Sequence, residues 1–270
     1  EQIWLNVLKK AKELRLQTVV MPLDYRSVDF ARINEKFVDA YEMHSVCFND
    51  YRMLSCMSRR SRPVLLNVGG RRPDEIWYTL DLLADQPAAL VYGLQNFPTE
   101  PQNVHLSRLN TYRKIYSRCL GYADHTTAES PERGTALSCY AYLLGCRIFE
   151  RHITIEPGSE RVDSQAAVTP EDILAMRRQL DFVRTILGNS SITNTTIFDE
   201  EYRTREKQLV FSKCLNSGET ISSESLSYMV TFQPSDFEQK DFIKLVGRKV
   251  RRKVSCFKPV TFSDIGPLES

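Results

Sequence analysis

Short apolar runs alternate with amphipathic stretches along the first 190 residues of the chain. Four of these runs are rich in branched residues and have the length of buried strands: residues 17–23, 63–68, 88–94 and 147–155. The segments between them show helical periodicity. This alternation predicts the α/β class.

Helix signals support the same interpretation. Helical periodicity covers residues 73–83 and 135–145, and a longer run begins after Thr169 and Pro170 and ends near Gly188. Threonine is a good N-cap, and proline is favoured at the first helical position. Strands that alternate with helices form β-α units around a parallel sheet, so repeated units predict a barrel or a doubly wound sheet.

The composition of the chain changes after the last of these helices. Residues 189–196 (NSSITNTT) are polar, and the sequence beyond them is strand-like and basic. We therefore predict a partial barrel over residues 1–190, a linker over 191–202 and a small β-rich domain over 203–270. The charged run 248–253 is interpreted as a solvated turn or strand edge, with an anionic partner as the alternative.

Composition excludes several classes of protein. Hydrophobic content of 42% and charged content of 26% exclude wholesale disorder. Thirty-six basic against 34 acidic residues argue against a nucleic-acid partner, and no apolar run approaches the length of a membrane span. Seven scattered cysteines without a C-x-x-C pair predict neither a disulfide framework nor a zinc ribbon. We expect a cytoplasmic protein.

Two of the four histidines lie in informative contexts. His125 precedes a helix start, and His152 lies at the end of a strand-like run. In a parallel α/β barrel the carboxyl ends of the strands face the active site, so two consecutive strand ends can bring two imidazoles together. Such a pair suits a divalent ion such as manganese, which can polarise a carbonyl. A structural or surface role for each histidine stays open.

Several motifs resemble one family in the correct order. Residues 121–126 (GYADHT) resemble its "GYSDHT" block, and residues 150–154 (ERHIT) resemble "EkHfT". Residues 24–30 (DYRSVDF), 62–70 (RPVLLNVGG) and 96–106 (NFPTEPQNVHL) match further blocks. The chain resembles the sialic acid synthase family, whose members condense phosphoenolpyruvate with N-acetylmannosamine or a related amino sugar.

The resemblance extends to the tail and implies an architecture. Residues 209–221 and 245–265 resemble the antifreeze-like domain that follows the barrel in this family. The implied fold is a TIM-type (β/α) barrel that lacks its first two strands, because the matched sequence begins in the helix before the third strand, followed by this small domain. The implied assembly is a homodimer in which each small domain caps the site of the partner.

The resemblance also implies site residues, while catalytic residues stay open. A divalent metal, Mn or Mg, would be bound by His125 and His152. Phosphoenolpyruvate and the amino sugar would be the small-molecule substrates. The residues implied in binding them are Ser45, Asn67, Gln95, Phe97 and Asp163.

The sequence departs from the family pattern at several of its functional positions. Glu42 replaces a lysine, Cys47 a glutamate, Ala123 a serine and Ser164 a histidine. A carboxylate in place of a cation reverses the sign of any interaction with a phosphate. Three hypotheses follow: an active synthase, a catalytically impaired relative that acts as an assembly partner, or an enzyme with a changed substrate whose pocket uses Glu42, Cys47 and His44.

Overall fold

The structure is a computed structural model that describes residues 1–58, 62–84, 86–192 and 196–265. The chain divides into two compact units, Glu1–Gly188 and Asn189–Ser270. None of the helices in the described ranges is long and apolar enough to cross a membrane.

The first unit is built on a six-stranded parallel sheet in which each strand pairs with the next one along the chain. Its strands are β1 (Val19–Val20), β2 (Ala40–Met43), β3 (Val64–Asn67), β4 (Ala88–Tyr92), β5 (Cys119–Asp124) and β6 (Cys146–Arg151). Its helices are α1 (Gln2–Glu13), α2 (Tyr25–Ile33), α3 (Tyr51–Ser58), α4 (Pro73–Leu83), α5 (Arg108–Tyr116), α6 (Pro131–Leu143) and α7 (Pro170–Leu187). The prediction of an α/β protein with β-α units is confirmed.

Two predicted strands are shorter in the structure. The run 17–23 contributes only Val19–Val20, since Pro22 has no N–H to donate to a ladder. The run 147–155 ends as a strand at Arg151, and Ile153 instead forms an isolated bridge with Val168.

Two helices show how local sequence sets their limits. The helix α6 begins at Pro131 rather than at residue 135, because proline is accommodated at the first helical position. The helix α7 begins as predicted, and Thr169 and Asp172 form a capping box at its start. It ends at Leu187, and the following residue, Gly188, has a positive φ of 52°.

The sheet has one apolar and one polar face. Side chains alternate along a strand, and residues paired in register point to the same side. The face beneath the helices carries large buried side chains that form the hydrophobic core, among them Tyr41, Met43, Leu66, Leu90, Tyr92 and Tyr122. The opposite face carries the polar side chains together with small and aliphatic ones: Glu42, Asn67, Glu150, Ala89, Gly121, Leu65, Val91 and Ile148.

This polar face is the concave side of a curled sheet. The carboxyl groups of Glu42 on β2 and Glu150 on β6 lie within hydrogen-bonding reach of each other. In a flat sheet, four strand spacings of about 4.8 Å would separate these strands by roughly 19 Å. The sheet must therefore curl as the wall of a barrel does, and the polar residues face its interior.

The second unit has its own core around a short antiparallel pair. The strands β7 (Gln208–Phe211) and β8 (Leu226–Met229) pair, and isolated bridges join neighbouring loops. Its helices are α8 (Ile197–Arg203), α9 (Phe242–Leu245) and α10 (Phe262–Ile265). The helix α8 lies mostly inside the predicted linker 191–202, because Thr196 and Asp199 form a capping box there; residues 193–195 lie outside the described residues.

Candidate metal centre

The two histidines singled out in the sequence meet at the carboxyl ends of neighbouring strands. His125 directly follows β5, and His152 directly follows β6. Their ring centroids are 5.2 Å apart. The register of the parallel pair causes this contact, because Ala123 pairs with Glu150 and each histidine lies two residues further along the same face.

A carboxylate completes the group. Glu150 Oε1 lies 3.6 Å from His125 Nε2, and one ligand atom from each of His125, Glu150 and His152 lies within 4.8 Å of the others. We call these three residues the metal set. In the sequence, Glu150 was only one residue of a matched motif and was not predicted as a ligand. Its spacing of two residues from His152 could have indicated this role, because that spacing places both side chains on one side of an extended segment.

Hydrogen bonding prepares the metal set for a cation. His125 Nδ1 donates a hydrogen bond of 2.8 Å to the carbonyl oxygen of Leu94, so His125 Nε2 carries the free lone pair. His125 Nε2 and Glu150 Oε2 are both buried without a hydrogen-bond partner among the described residues. Buried acceptors without a donor are costly. Two imidazoles and one carboxylate therefore fit a divalent transition metal.

Two residues implied by the motifs surround the metal set. The Phe97 ring packs against both imidazoles, with centroid distances of 4.8 Å to His125 and 5.1 Å to His152. Asp163 Oδ2 lies 3.9 Å from His152 Nδ1, which is an electrostatic rather than a hydrogen-bonding distance. Burial, with an added contribution from His125, lowers the pKa of His152 and favours the neutral form that binds a metal.

A second acidic group adjoins the metal set. Asn67 Nδ2 donates a hydrogen bond to Glu42 Oε1, and Glu42 faces Glu150. Burial and the negative charge of Glu150 raise the pKa of Glu42 to about 8. Asn67 Oδ1 is buried without a partner among the described residues. The interior thus carries more hydrogen-bond acceptors than donors.

A family model described as the NeuB family matches residues 2–192. The chain belongs to the NeuB family. It is 22% identical over 290 residues to N-acetylneuraminate-9-phosphate synthase of Drosophila melanogaster, covering 97% of this chain and 75% of that protein. It is 22% identical over 227 residues to N,N'-diacetyllegionaminic acid synthase of Campylobacter jejuni, covering 82% of this chain and 66% of that protein.

A solved structure shares the fold of this NeuB-family chain. The N-acetylneuraminic acid synthetase from Leptospira borgpetersenii superposes with a TM-score of 0.66 at 19% identity, covering 75% of this chain and 69% of that one. The predicted membership of the sialic acid synthase family is confirmed. The chain spans about two thirds of the length of most of the curated relatives it matches, 66% in the case of the Campylobacter protein.

Two further motif residues of this NeuB-family chain have a structural role. The Arg151 guanidinium forms a buried ion pair with Asp124, which also accepts hydrogen bonds from the backbone and hydroxyl of Thr126. A Cβ at Gly134 of α6 would come within 2.5 Å of Asp124 Oδ2, so only glycine lets the helix approach this pair. This ion pair lies beneath α6 and stabilises the loop that carries His125.

The remaining predicted binding residues lie near the same edge of the sheet. Ser45 is buried just after β2, and Gln95 is half-buried in the segment after β4. No contact among the described residues joins either side chain to the metal set. His44 Nδ1 accepts a hydrogen bond from the backbone N–H of Val46, and the Cys47 thiol is directed to the carbonyl oxygen of Leu23. His44 and Cys47 are therefore engaged locally.

Proposed function

We propose that this chain is a metal-dependent synthase that condenses phosphoenolpyruvate with N-acetylmannosamine or a related amino sugar to form a nonulosonic acid. One observation carries this proposal: His125, Glu150 and His152 converge at the carboxyl ends of β5 and β6 with two unpartnered buried acceptors. Catalytic groups of parallel α/β barrels lie at this end of the strands. The names of the relatives, which are synthases of different nonulosonic acids, support the reaction class.

The metal set would hold one divalent ion, for which Mn or Mg is the expected identity. When bound, such an ion supplies Lewis acidity toward the carbonyl of the sugar. The Leu94 carbonyl fixes the tautomer of His125, and Phe97 packs against both imidazoles. Asp163 provides a negative charge behind His152, which raises the basicity of the ring as a ligand.

The other interior groups would orient the substrates. In the family reaction implied by the resemblance, C3 of phosphoenolpyruvate bonds to the aldehyde carbon of the sugar, and water attacks C2 so that inorganic phosphate leaves. A sugar presents several hydroxyl donors, and the acceptor oxygens of Asn67 and Glu150 are unpartnered. Hydrogen bonds from the sugar, or a cation bound at these oxygens, would remove their desolvation cost. Ser45 and Gln95 stay proposed binding residues.

The architecture of the family extends this proposal. We propose that the six strands correspond to strands three to eight of the family barrel, and that the second unit is the antifreeze-like domain. In the proposed homodimer, that unit caps the site of a partner chain. Deleting residues 203–270 should then change the oligomeric mass measured by light scattering, whereas an unchanged subunit count would contradict the domain-swapped assembly.

The direct test is release of inorganic phosphate by the purified chain. We expect release that requires phosphoenolpyruvate, N-acetylmannosamine and Mn²⁺ together. H125A and H152A should each lose the Mn²⁺ ion held by the metal set, because each removes one of its ligands. H105N is the matched control, since His105 is an exposed histidine outside the set. An alanine variant that binds as many Mn²⁺ ions as the wild type would contradict the proposed site.

A second candidate function is favoured by Glu42. This carboxyl group is buried beside Glu150, where it supplies no positive charge to bind an anionic substrate. The alternative is therefore a catalytically impaired relative that acts as an assembly partner. A folded chain that binds Mn²⁺ but neither binds phosphoenolpyruvate nor releases phosphate would favour this alternative or a changed substrate.

A further inference from the structure

The interior of the curled sheet contains a connected series of acceptor groups. Asn67 is hydrogen-bonded to Glu42, Glu42 faces Glu150, and Glu150 lies 3.6 Å from His125. Three atoms along this series are buried without a partner among the described residues: Asn67 Oδ1, Glu150 Oε2 and His125 Nε2. Asn67 is fully buried and His125 is 2% exposed, so bulk water does not satisfy them.

A single cation on the metal set would leave some of these acceptor atoms without a partner. The metal set of His125, Glu150 and His152 brings three ligand atoms within 4.8 Å of one another, and Glu42 is not among them. The Glu42 carboxylate and the Asn67 carbonyl oxygen are acceptor groups outside the metal set. A carboxylate has two oxygens and can bind a separate cation with each.

We propose that Glu42 and Asn67 Oδ1 bind a second divalent cation, and that Glu150 bridges it to the ion on the metal set. This inference rests on the proposed function, because Glu150 belongs to both sites. Oxygen ligands alone select a hard ion such as Mg²⁺ or Mn²⁺. Two-metal sites of this kind hold their ions about 3.5–4 Å apart.

The second cation changes the charge of the interior. Without a cation these two acidic side chains offer an anionic ligand no positive charge, whereas two divalent ions offset both carboxylates and leave net positive charge. The concave face would then accept a phosphate or carboxylate group, which charge-assisted contacts bind strongly. The cation bound to Glu42 would thus supply the positive charge that the glutamate side chain lacks.

The test counts ions on the purified full chain. Equilibrium dialysis against Mn²⁺, followed by elemental analysis, should find two ions per chain in the wild type and one in E42Q. The amide retains the shape of the side chain but not its charge, so affinity for the second ion should fall by at least about 10-fold. E132Q makes the same charge change on the exposed surface of α6 and should keep two ions. Circular dichroism verifies that each variant is folded.

Electron paramagnetic resonance of the wild type gives an independent measurement. Two Mn²⁺ ions bridged by Glu150 should give an exchange-coupled spectrum, whereas separate ions give an uncoupled one. H125A should lose the imidazole-bound ion and keep the ion on Glu42. A wild type that binds one ion, with no change in E42Q, overturns the second site and leaves the proposed function intact. A wild type that binds no ion overturns both, and two uncoupled ions overturn the bridge.

Discussion

Two buried acidic regions of this chain differ in how their charge is satisfied. Asp264 in the second unit is fully buried. It accepts hydrogen bonds from Lys258, from Arg252 and from the backbone N–H and hydroxyl of Thr261. Glu42 and Glu150 in the first unit face each other, and Glu150 Oε2 has no partner among the described residues. Asp264 is surrounded by hydrogen-bond donors, whereas Glu42 and Glu150 have too few donors around them.

The ion pair of Asp124 and Arg151 resembles the Asp264 site, although it lies next to the metal set. Both side chains are almost fully buried, and Thr126 supplies further donors to the carboxylate. Proximity to a candidate site therefore does not make a residue functional. The distinguishing property is whether the folded chain itself satisfies the buried charge. By this criterion Asp124 and Asp264 maintain the fold, whereas Glu42 and Glu150 are the carboxylates for which we propose a ligand.

The largest expected effect tests the fold-maintaining role of Asp124. D124A should reduce the free energy of unfolding by about 3–5 kcal/mol, because it leaves the Arg151 guanidinium buried without a counter-charge. Both tryptophans, Trp4 and Trp77, lie in the first unit, so their fluorescence during urea unfolding reports on that unit. D29A removes an exposed carboxylate paired with Arg32 and should cost less than about 1 kcal/mol. Equal losses in the two variants would contradict a structural role for the buried pair.

A smaller effect is expected at Asp264, because its basic partners are partly exposed. D264N should reduce the stability of the second unit by about 2 kcal/mol, the cost of weakening charge-assisted hydrogen bonds. Hydrogen exchange of the backbone amides in β7 measures this loss. D236N, which alters a carboxylate bonded only to the backbone N–H of Phe262 among the described contacts, is the control and should cost less.

The pH dependence of the same unit follows from the Asp264 pKa. Burial opposes ionisation, but hydrogen bonds from Lys258, Thr261 and Arg252 together hold the Asp264 pKa below its ordinary value of 3.8. The contribution of this carboxylate is therefore fully present above pH 3.8 and is lost as the pH falls below that value. Amide exchange in β7 should accelerate in that acidic range in the wild type and change less in D264N. A wild type without this acidic transition would contradict the assignment.

The sequence was sufficient for the class of fold and for part of the site. Apolar runs identified β3 and β4, because branched residues dominate them, and capping residues located α7. Periodicity missed β2 and β5. In β2 the inward residue is Glu42, and in β5 the inward residues Gly121 and Ala123 are small, so neither strand forms a long apolar run. Motif resemblance drew attention to both segments where periodicity did not.

The metal set was only partly predictable. His152 was identified because it ends a strand-like run, and His125 because it precedes a helix start; both places lie at the active-site end of a β-α fold. The pairing of Glu42 with Glu150 depends on the curl of the sheet between β2 and β6, which no local pattern encodes. The sequence showed that Glu42 replaces a lysine of the family pattern, but it did not show that Glu42 lies next to Glu150.

The smallest and most discriminating effect concerns Glu42 in metal-free protein. Burial and the charge of Glu150 raise the pKa of Glu42 to about 8, above its ordinary 4.5, so the folded state retains a proton that the unfolded state releases between these values. The stability of the first unit should therefore fall as the pH rises from about 4.5 to about 8. E42Q removes this decline. We expect it to stabilise the first unit above pH 8, where the wild type must hold a second buried negative charge beside Glu150.

Tryptophan fluorescence during urea unfolding in EDTA, at pH 5.5 and pH 8.5, measures this difference. E132Q, on the exposed surface of α6, should show no pH-dependent gain. A stabilising substitution is the opposite of what D124A and D264N should give, although all three remove a buried carboxylate. If E42Q destabilises the metal-free protein at both pH values, the Glu42 charge is satisfied by the fold itself. Glu42 would then stabilise the fold as Asp124 and Asp264 do, and the distinction drawn between these two groups of carboxylates would be wrong.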